Sequence, residues 1–438
     1  MIRPRPVRRR PLADGAHRHR EEDEVVKVLL VTHGTRGDVQ PLLALAVALK
    51  KAGHEALLAA PESFASSALT QDVEFAPLDN GPNRLFEDPL MAEAIEGGYR
   101  GVRGKITALS AIRRIKPLMA DVLRDVGAVA RPSGADLVVH TPSVPAQHAA
   151  EMLGVPAVLA ALQPGWVPTS EFPCPMVPLP RLPRFFNRAT YLTVSATLRA
   201  YSGIVNTWRT NDLGLPRGQG PRQANVLQAF SALVTPVDPA WPDSVRTTGF
   251  WYLPREANWA PNPALQAFLD TGPAPVYIGF GSMAGRDAQR TGDIVAEAAR
   301  AAGVRAIVAT GWGGLAARSS DDLLVIDQVP HDWLFGRVSA VVHHGGGGTT
   351  AAALAAGVPQ VVCPFVADQP HWAQRMHAVG VAPEPVPYRK LAVDTLTQAI
   401  TQALALRQRA GEVGEQIRAE NGVGAAVREL ERIHNGRG

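Results

Sequence analysis

The sequence predicts an α/β protein built from two doubly wound parallel-sheet domains. Three observations carry that expectation. Short apolar, β-branched runs recur along the chain, each ending in a turn that leads into residues at helical spacing. These units form two series, one starting at Val25 and one at Pro275, with no obvious internal repeat relating them. The chain has 438 residues, too many for one ordinary core, so two domains of about 200 residues are expected.

Composition narrows the function. A hydrophobic share of 46% with 19% charged residues describes a soluble globular protein, and a net charge of +4 gives no support to a nucleic-acid-binding body. Cys174 and Cys363 stand far apart with no metal spacing, which argues against a disulfide framework or a zinc site. A reducing cytoplasm is the simplest setting. No apolar run reaches the roughly 18 residues a bilayer span needs. Residues 1–24 are rich in Arg and Pro without an apolar core, unlike a secretory signal. They read as a disordered basic tail or as residues upstream of the true start. A membrane-touching basic arm, giving peripheral membrane contact, is the alternative.

The first series opens with Val25–Thr32, a buried strand, followed by the turn His33-Gly34-Thr35-Arg36-Gly37-Asp38-Val39-Gln40-Pro41. Pro41 suits the first turn of a helix running to Ala52, and Glu55–Ala60 is the next strand. Ligands of open parallel sheets bind at the carboxyl ends of the strands, where this turn lies. Asp38 there is either a helix N-cap or a catalytic acid or base. Residues 81–105 read as a mobile loop, Ile106–Val129 as a helix, and Asp136–His140 and Ala157–Leu162 as strands. Gln163–Pro183 holds seven prolines with Trp166, Phe172 and Met176, which excludes helix and central strand. It reads as a lid or wall for an apolar ligand, or as a surface excursion packed on its own domain. Tyr191–Trp208 is helical, and Leu233–Pro236 and Thr247–Phe250 resemble the last strands of this half.

In the second series, strands are expected at Pro275–Ile278, Ala306–Thr310, Leu323–Ile326 and Ala340–Val342, with helices at Asp287–Ala302 and Asp332–Phe335. Gly279-Phe280-Gly281-Ser282-Met283-Ala284-Gly285 invites a dinucleotide reading, but the third glycine is one place late and no acid ends the following strand. A P-loop is absent, as is an Asp-x-Asp magnesium clamp. The turn His343-His344-Gly345-Gly346-Gly347-Gly348-Thr349-Thr350 joins a buried strand to a small-residue helix starting near Thr349. Its bare N–H groups and the helix dipole suit an anion, above all a phosphate. With the Gly281-Ser282 turn it makes two anion sites on one sheet edge, which suits a diphosphate. Asp368 and Gln369, in Pro364–Pro370 at the same edge, form a pair suited to sugar hydroxyls.

These motifs resemble the two-domain, inverting nucleotide-sugar glycosyltransferases of the GT-B fold, family 1 type. The donor signature is His344-x-Gly346-x-x-x-Thr350 with Thr349, then Gly357-Val358-Pro359, Pro364 and Asp368-Gln369. Gly34–Pro41 is similar to the sterol glucosyltransferases and to the bacterial macrolide and glycopeptide antibiotic glycosyltransferases. Phe172-Pro173-x-Pro175, Asn206-x-Trp208-Arg209, Leu213–Pro216, Thr248–Trp251, Tyr277–Met283 and Pro330–Phe335 are similar to the sterol branch. Two positions depart from it: Gly347, where the branch often has Ala, and Cys174, where it often has His.

The resemblance implies two Rossmann-like domains facing each other across a cleft. They would be an acceptor domain (25–245), a linker (246–262) and a donor domain (263–415), with 416–438 a helix packing back on the first domain. It implies Asp38 as general base, and Ser282, His344, Gly346, Gly348, Thr349 and Thr350 on the donor diphosphate. Asp368 and Gln369 would hold the sugar, Trp312, Gln328 and Val329 the base and ribose, and Trp166, Phe172 and Met176 the acceptor. His33 and His343 are assigned no chemistry. The implied partners are a nucleotide-sugar donor and a hydrophobic small-molecule acceptor, with no metal and no cofactor beyond the donor. The implied reaction transfers glucose from UDP-glucose to a sterol, triterpenoid or other aglycone. A TDP-sugar antibiotic glycosyltransferase is the nearest alternative. A nucleotide-sugar epimerase and a non-catalytic partner protein are the alternatives of other classes.

Overall fold

The computed structural model describes residues 25–86, 101–176, 183–218, 220, 225–256, 258–281, 287–311 and 318–436. The basic stretch 1–24 and the expected site residues Ser282 and Trp312 lie outside these.

The first domain is a seven-stranded sheet of β1 (Lys27–Val31), β2 (Glu55–Pro61), β3 (Glu74–Leu78), β4 (Leu137–His140), β5 (Ala157–Ala161), β6 (Asn225–Gln228) and β7 (Val245–Thr247). Its order is β3-β2-β1-β4-β5-β6-β7, and every neighbouring pair is parallel. The second is a five-stranded parallel sheet of β8 (Val276–Gly279), β9 (Ala306–Ala309), β10 (Leu323–Ile326), β11 (Ala340–His343) and β12 (Gln360–Val362), in the order β10-β9-β8-β11-β12. Helices cover both faces of such sheets, so their strands bury every side chain and carry unbroken apolar runs, as β4, β8, β9 and β11 do.

The strand order reverses between β1 and β4 in the first sheet and between β8 and β11 in the second. A crevice opens at such a switch point, beyond the carboxyl ends of the strands. The first turn of the helix after β1 carries Asp38, the segment after β11 is the glycine turn, and the loop after β8 begins at Phe280. The residues singled out in the sequence therefore fall at the two switch points.

The two domains share a buried seam in which Phe230, Val234 and Phe250 pack with Leu354, Trp372 and Met376. The chain crosses back at Glu420, whose carboxylate accepts the Ser231 hydroxyl at 2.6 Å. Helix Gly422–Asn435 then buries Ala426, Val427 and Leu430 in one cluster with Leu42, Leu45 and Leu49 of helix Arg36–Lys51.

Several elements differ from the sequence reading. Leu233–Pro236 is not a strand: Val234 and Thr235 bond back to the Ser231 carbonyl, and Val234 is buried in the interdomain seam. Its apolar character serves domain packing, and the last two strands are Asn225–Gln228 and Val245–Thr247 instead. β3 was not anticipated; Pro77 is tolerated because β3 is an edge strand. Residues 81–105 are not all loop, since helices occupy Gly81–Phe86 and run from Gly101 to Ser133. Tyr191–Trp208 is broken into Leu192–Ala200 and Ser202–Asn211, preceded by a turn of helix at Asn187–Thr190. Pro41 sits past the first turn of its helix, which starts at Arg36.

Candidate active site

Thr35 is the N-cap of helix Arg36–Lys51, and Asp38 is its third residue. The Asp38 carboxylate accepts the Thr35 N–H at 2.9 Å and the Thr35 hydroxyl at 3.3 Å, both on Oδ2. Capping and catalysis were alternatives in the sequence, but the geometry lets one side chain serve both. Oδ2 closes the capping box while Oδ1 carries no such bond. Gly34, at φ +141°, is what admits the carboxylate: a Cβ there would stand 2.8 Å from Asp38 Cγ. The Gly34 carbonyl is fixed in turn by Asn83 Nδ2 at 2.8 Å. Burial raises the Asp38 pKa to about 6, against the pull of the Thr35 bonds, and the negative charge of Asp368 adds to the rise. The last contribution places the two acids within electrostatic reach across the cleft.

The glycine turn faces them from the second domain. Gly346 is the N-cap and the helix begins at Gly347, two residues earlier than the sequence suggested. The first helical bond runs from Thr350 N to Gly346 O, so the first-turn N–H groups of Gly347, Gly348 and Thr349 remain outside the helix ladder. A Cβ on Gly348 would meet nothing within 4 Å, whereas one on Gly346 would stand 2.5 Å from His344 Nε2. Gly346 therefore makes room for the His344 ring, and Gly348 leaves the backbone open. Burial lowers the His344 pKa to about 4, so its ring is neutral at pH 7. His344 Nδ1 and Thr350 Oγ1 are both buried without a partner. Two orphaned polar atoms at one turn mark a place where a bound group is expected. Thr350 is itself fully buried beneath the turn, while Thr349 is half-buried at its rim. A Cβ on Gly347 would find Trp372 Nε1 at 3.4 Å, an ordinary contact, so alanine there is tolerable.

His343 is structural. Its Nδ1 accepts the Gly345 N–H at 3.1 Å, which leaves Nε2 to donate to Gln360 Oε1 at 2.8 Å. Its pKa falls to about 3 through burial. His33 is likewise held, by the Asp79 carbonyl at 2.9 Å.

Asp368 ends the loop after β12 and is the N-cap of helix Gln369–Val379. It accepts the Trp372 indole N–H at 2.8 Å, and burial raises its pKa. The preceding residue, Ala367, is held at φ +56°, a conformation costly for a residue with a Cβ. Gln369 Oε1 accepts the N–H groups of Phe365 and Val366 at 2.8 and 3.1 Å. The Gln369 oxygen is therefore committed to shaping its own loop, and only its NH2 group is left for a ligand.

Arg36 and His331 were missed in the sequence reading. Arg36 is the first residue of the helix after β1 and interacts electrostatically with Tyr277 and His331 of the second domain. His331 stacks on Phe335 at 4.4 Å, and burial lowers its pKa to about 3, with Arg36 and His344 adding to the effect. The signal for Arg36 was its place two residues before Asp38, in the same strand-end turn.

Of the expected acceptor residues, Phe172 is buried with Cys174 and Tyr191, and its ring meets His371 of the second domain at 5.2 Å. It is packed between the proline-rich loop and the second domain. Trp166 is half-buried, and Met176 is exposed. Val329 packs under Trp333 and Phe335, and Gln328 is exposed beside it. Arg209, part of one motif noted above, is buried and holds Glu151, His148 and the Pro216 carbonyl, a structural clamp within the first domain.

Residues 28–167 match the glycosyltransferase family 28 N-terminal domain, and residues 304–431 the erythromycin biosynthesis protein CIII-like C-terminal domain. A sterol 3-beta-glucosyltransferase of Arabidopsis thaliana is 32% identical over 420 residues, covering 92% of this chain and 67% of the relative. The chain belongs to this glycosyltransferase family. A second Arabidopsis sterol 3-beta-glucosyltransferase is 32% identical with 92% of this chain and 65% of its own length covered. One from Emericella nidulans is 33% identical with 93% and 30% covered. The chain thus spans about two thirds of the plant glycosyltransferases and under a third of the fungal one. Among solved structures, the glycosyltransferase of kitacinnamycin superposes with a TM-score of 0.69 at 18% identity, covering 94% of this chain and 99% of that one. A spinosyn rhamnosyltransferase complexed with thymidine diphosphate gives 0.63 at 20%, covering 93% and 100%. Both share the GT-B fold of this glycosyltransferase. Among the described residues, no cluster of His, Cys, Asp or Glu could hold a metal and no helix is long and apolar enough to cross a membrane.

Proposed function

We propose that the protein is an inverting, metal-independent glycosyltransferase that moves a hexose, glucose first, from a UDP-sugar to a hydroxyl of a hydrophobic acceptor. The observation that carries this reading is Asp38: a carboxylate at one switch point, with its pKa raised to about 6, facing Asp368 and the anion turn at the other. A base poised near neutral pH suits proton removal from an alcohol. The acceptor oxygen attacks the anomeric carbon, and its proton passes to Asp38 as the C–O bond forms. The bond to the diphosphate breaks with its electron pair leaving on the phosphate oxygen. Attack from the face opposite the leaving group inverts the anomeric centre, so an α-linked donor yields a β-glycoside.

Neutral His344, the N–H groups of Gly347, Gly348 and Thr349, the Ser282 hydroxyl and the cation of Arg36 would stabilise the departing diphosphate. Fixed dipoles aimed at developing charge usually supply the largest share of catalysis. Asp368 and the Gln369 amide would hold sugar hydroxyls, and Trp312, Gln328 and Val329 would border the nucleoside. Sterol glucosyltransferases as relatives support a sterol-like acceptor. The match of residues 304–431 to the erythromycin-biosynthesis domain favours the second reading, a TDP-sugar enzyme acting on a polyketide. Incubation with UDP-glucose and TDP-glucose in parallel, each against a library of sterols, triterpenoids and polyketides, tests both by product mass. Hydrolysis or epimerisation of donor without any glycoside would overturn both.

A further inference from the structure

We infer that the segment Arg184–Ala200 of the first domain is a docking face for an anionic lipid bilayer. The residues form a turn of 3-10 helix (Arg184–Phe186), a helical turn (Asn187–Thr190) and a helix (Leu192–Ala200). Phe185 is 75% exposed, Leu192 67% and Leu198 53%, with Phe186 and Met176 also exposed. These are five of the nine large apolar side chains found exposed among the described residues, gathered within 23 positions. The rings of Phe185 and Phe186 lie 4.2 Å apart, so the aromatic surface is continuous.

Helix Leu192–Ala200 is the decisive element. Its composition is apolar on balance, yet it buries no residue. A surface helix normally covers an apolar stripe against its own core, and nine residues do not make a stable helix by themselves in water. Only Val194 rests on the Phe172 and Tyr191 cluster, and a helix that leaves its leucines to solvent is built to meet something else.

Charge identifies the partner. From Phe172 to Asn211 the sequence has five arginines and no aspartate or glutamate. Arg209 is buried on Glu151 and Arg184 is paired with Glu171. Arg188 and Arg199 are exposed on the apolar segment, Arg199 without an ion pair among the described residues and Arg188 within reach of Asp238. Exposed aromatic and leucine side chains flanked by cations match a membrane interface, where rings enter the headgroup layer and arginines meet lipid phosphates.

The inner side of the segment is bolted to the proline-rich loop. Asn187 Nδ2 donates to the Ser170 carbonyl at 2.9 Å, and the Cys174 N–H donates to Thr190 Oγ1 at 2.7 Å. Tyr191 packs with Phe172, whose ring rests on His371 near Asp368. A bilayer held on the outer side would thus lie against the back of the loop that borders the cleft. Docking needs no turnover, so it stands or falls apart from the proposed reaction.

The test is flotation of the full chain with vesicles of phosphatidylcholine, alone or mixed with phosphatidylglycerol. The wild type should float with the anionic vesicles only, and added salt should weaken binding. The variant F185S/F186S/L192S should lose about tenfold or more of the vesicle partition. The variant R188Q/R199Q should lose about tenfold while keeping the apolar surface. Both alter exposed side chains outside the cleft, so melting temperature and turnover of a water-soluble acceptor should match wild type. Anionic-vesicle binding that both variants retain in full would assign it elsewhere, the basic N-terminal stretch included, and overturn the inference. So would absence of vesicle binding by the wild type, or a dimer in light scattering that F185S/F186S/L192S dissolves. Should the apolar variant fold poorly, R188Q/R199Q decides.

Discussion

A Cβ on Gly34 would overlap the carboxylate of Asp38, whose Cγ lies 2.8 Å from that point. The glycine is thus a positioning residue for the acid beside it. Gly34→Ala should displace the carboxylate and break the Thr35 capping bonds. We expect kcat to fall by about tenfold or more with little change in UDP affinity by calorimetry. Retained kcat would show that the acid's present position is not the working one.

Asp38→Asn should remove the base and keep the cap, since the amide oxygen can still accept from Thr35. Transfer should drop by roughly 10²–10⁴-fold while UDP still binds. The folded state holds the Asp38 proton more tightly than the unfolded chain, so ionisation between pH 3.8 and about 6 works against stability. The asparagine variant should therefore melt higher than wild type above pH 6 and no higher below pH 4. An identical melting difference at both pH values would contradict the burial described.

The same shift sets the pH profile. Only ionised Asp38 accepts a proton, so kcat/KM should rise with pH and level off above about 6. His344 is already neutral across that range. A profile whose acid limb falls near 4 would detach the base from Asp38.

His344→Ala should leave the glycine turn without its imidazole donor. UDP affinity should weaken by about 10–150-fold, the cost of one hydrogen bond to a charged group. Arg36→Met should weaken it too, and more at low salt than at high salt, because its contribution is a charge. Unchanged calorimetric affinity in both variants would refute the diphosphate assignment. Chelator should leave transfer by the wild type intact, and strict metal dependence would count against the proposed mechanism.

Much of this molecule could be read from its residues, because parallel sheets buried on both faces write themselves as apolar runs. The strands carrying the site, β1, β8 and β11, were read to within two or three residues for that reason. Misreadings arose where apolarity served another purpose: Leu233–Pro236 looked like a strand because Val234 is buried between domains. Within the site, residue types announced the chemistry, but allocation of single atoms did not. No spacing shows that Gln369 Oε1 is spent on its own loop, or that Phe172 leans on His371. Those depend on how two distant parts of the chain approach, as does the reach of Arg36 toward Tyr277.

The helix Gly422–Asn435 places Ala426, Val427 and Leu430 against the leucines of the very first helix. The ribosome makes these partners almost a whole chain length apart. The first domain therefore waits for this covering helix until nearly all of the second has been synthesised. Through that interval its apolar face is open to chaperones or to self-association. A stop codon between Ala419 and Ala426 would leave the donor-side sheet whole and the opposite domain without its last covering layer.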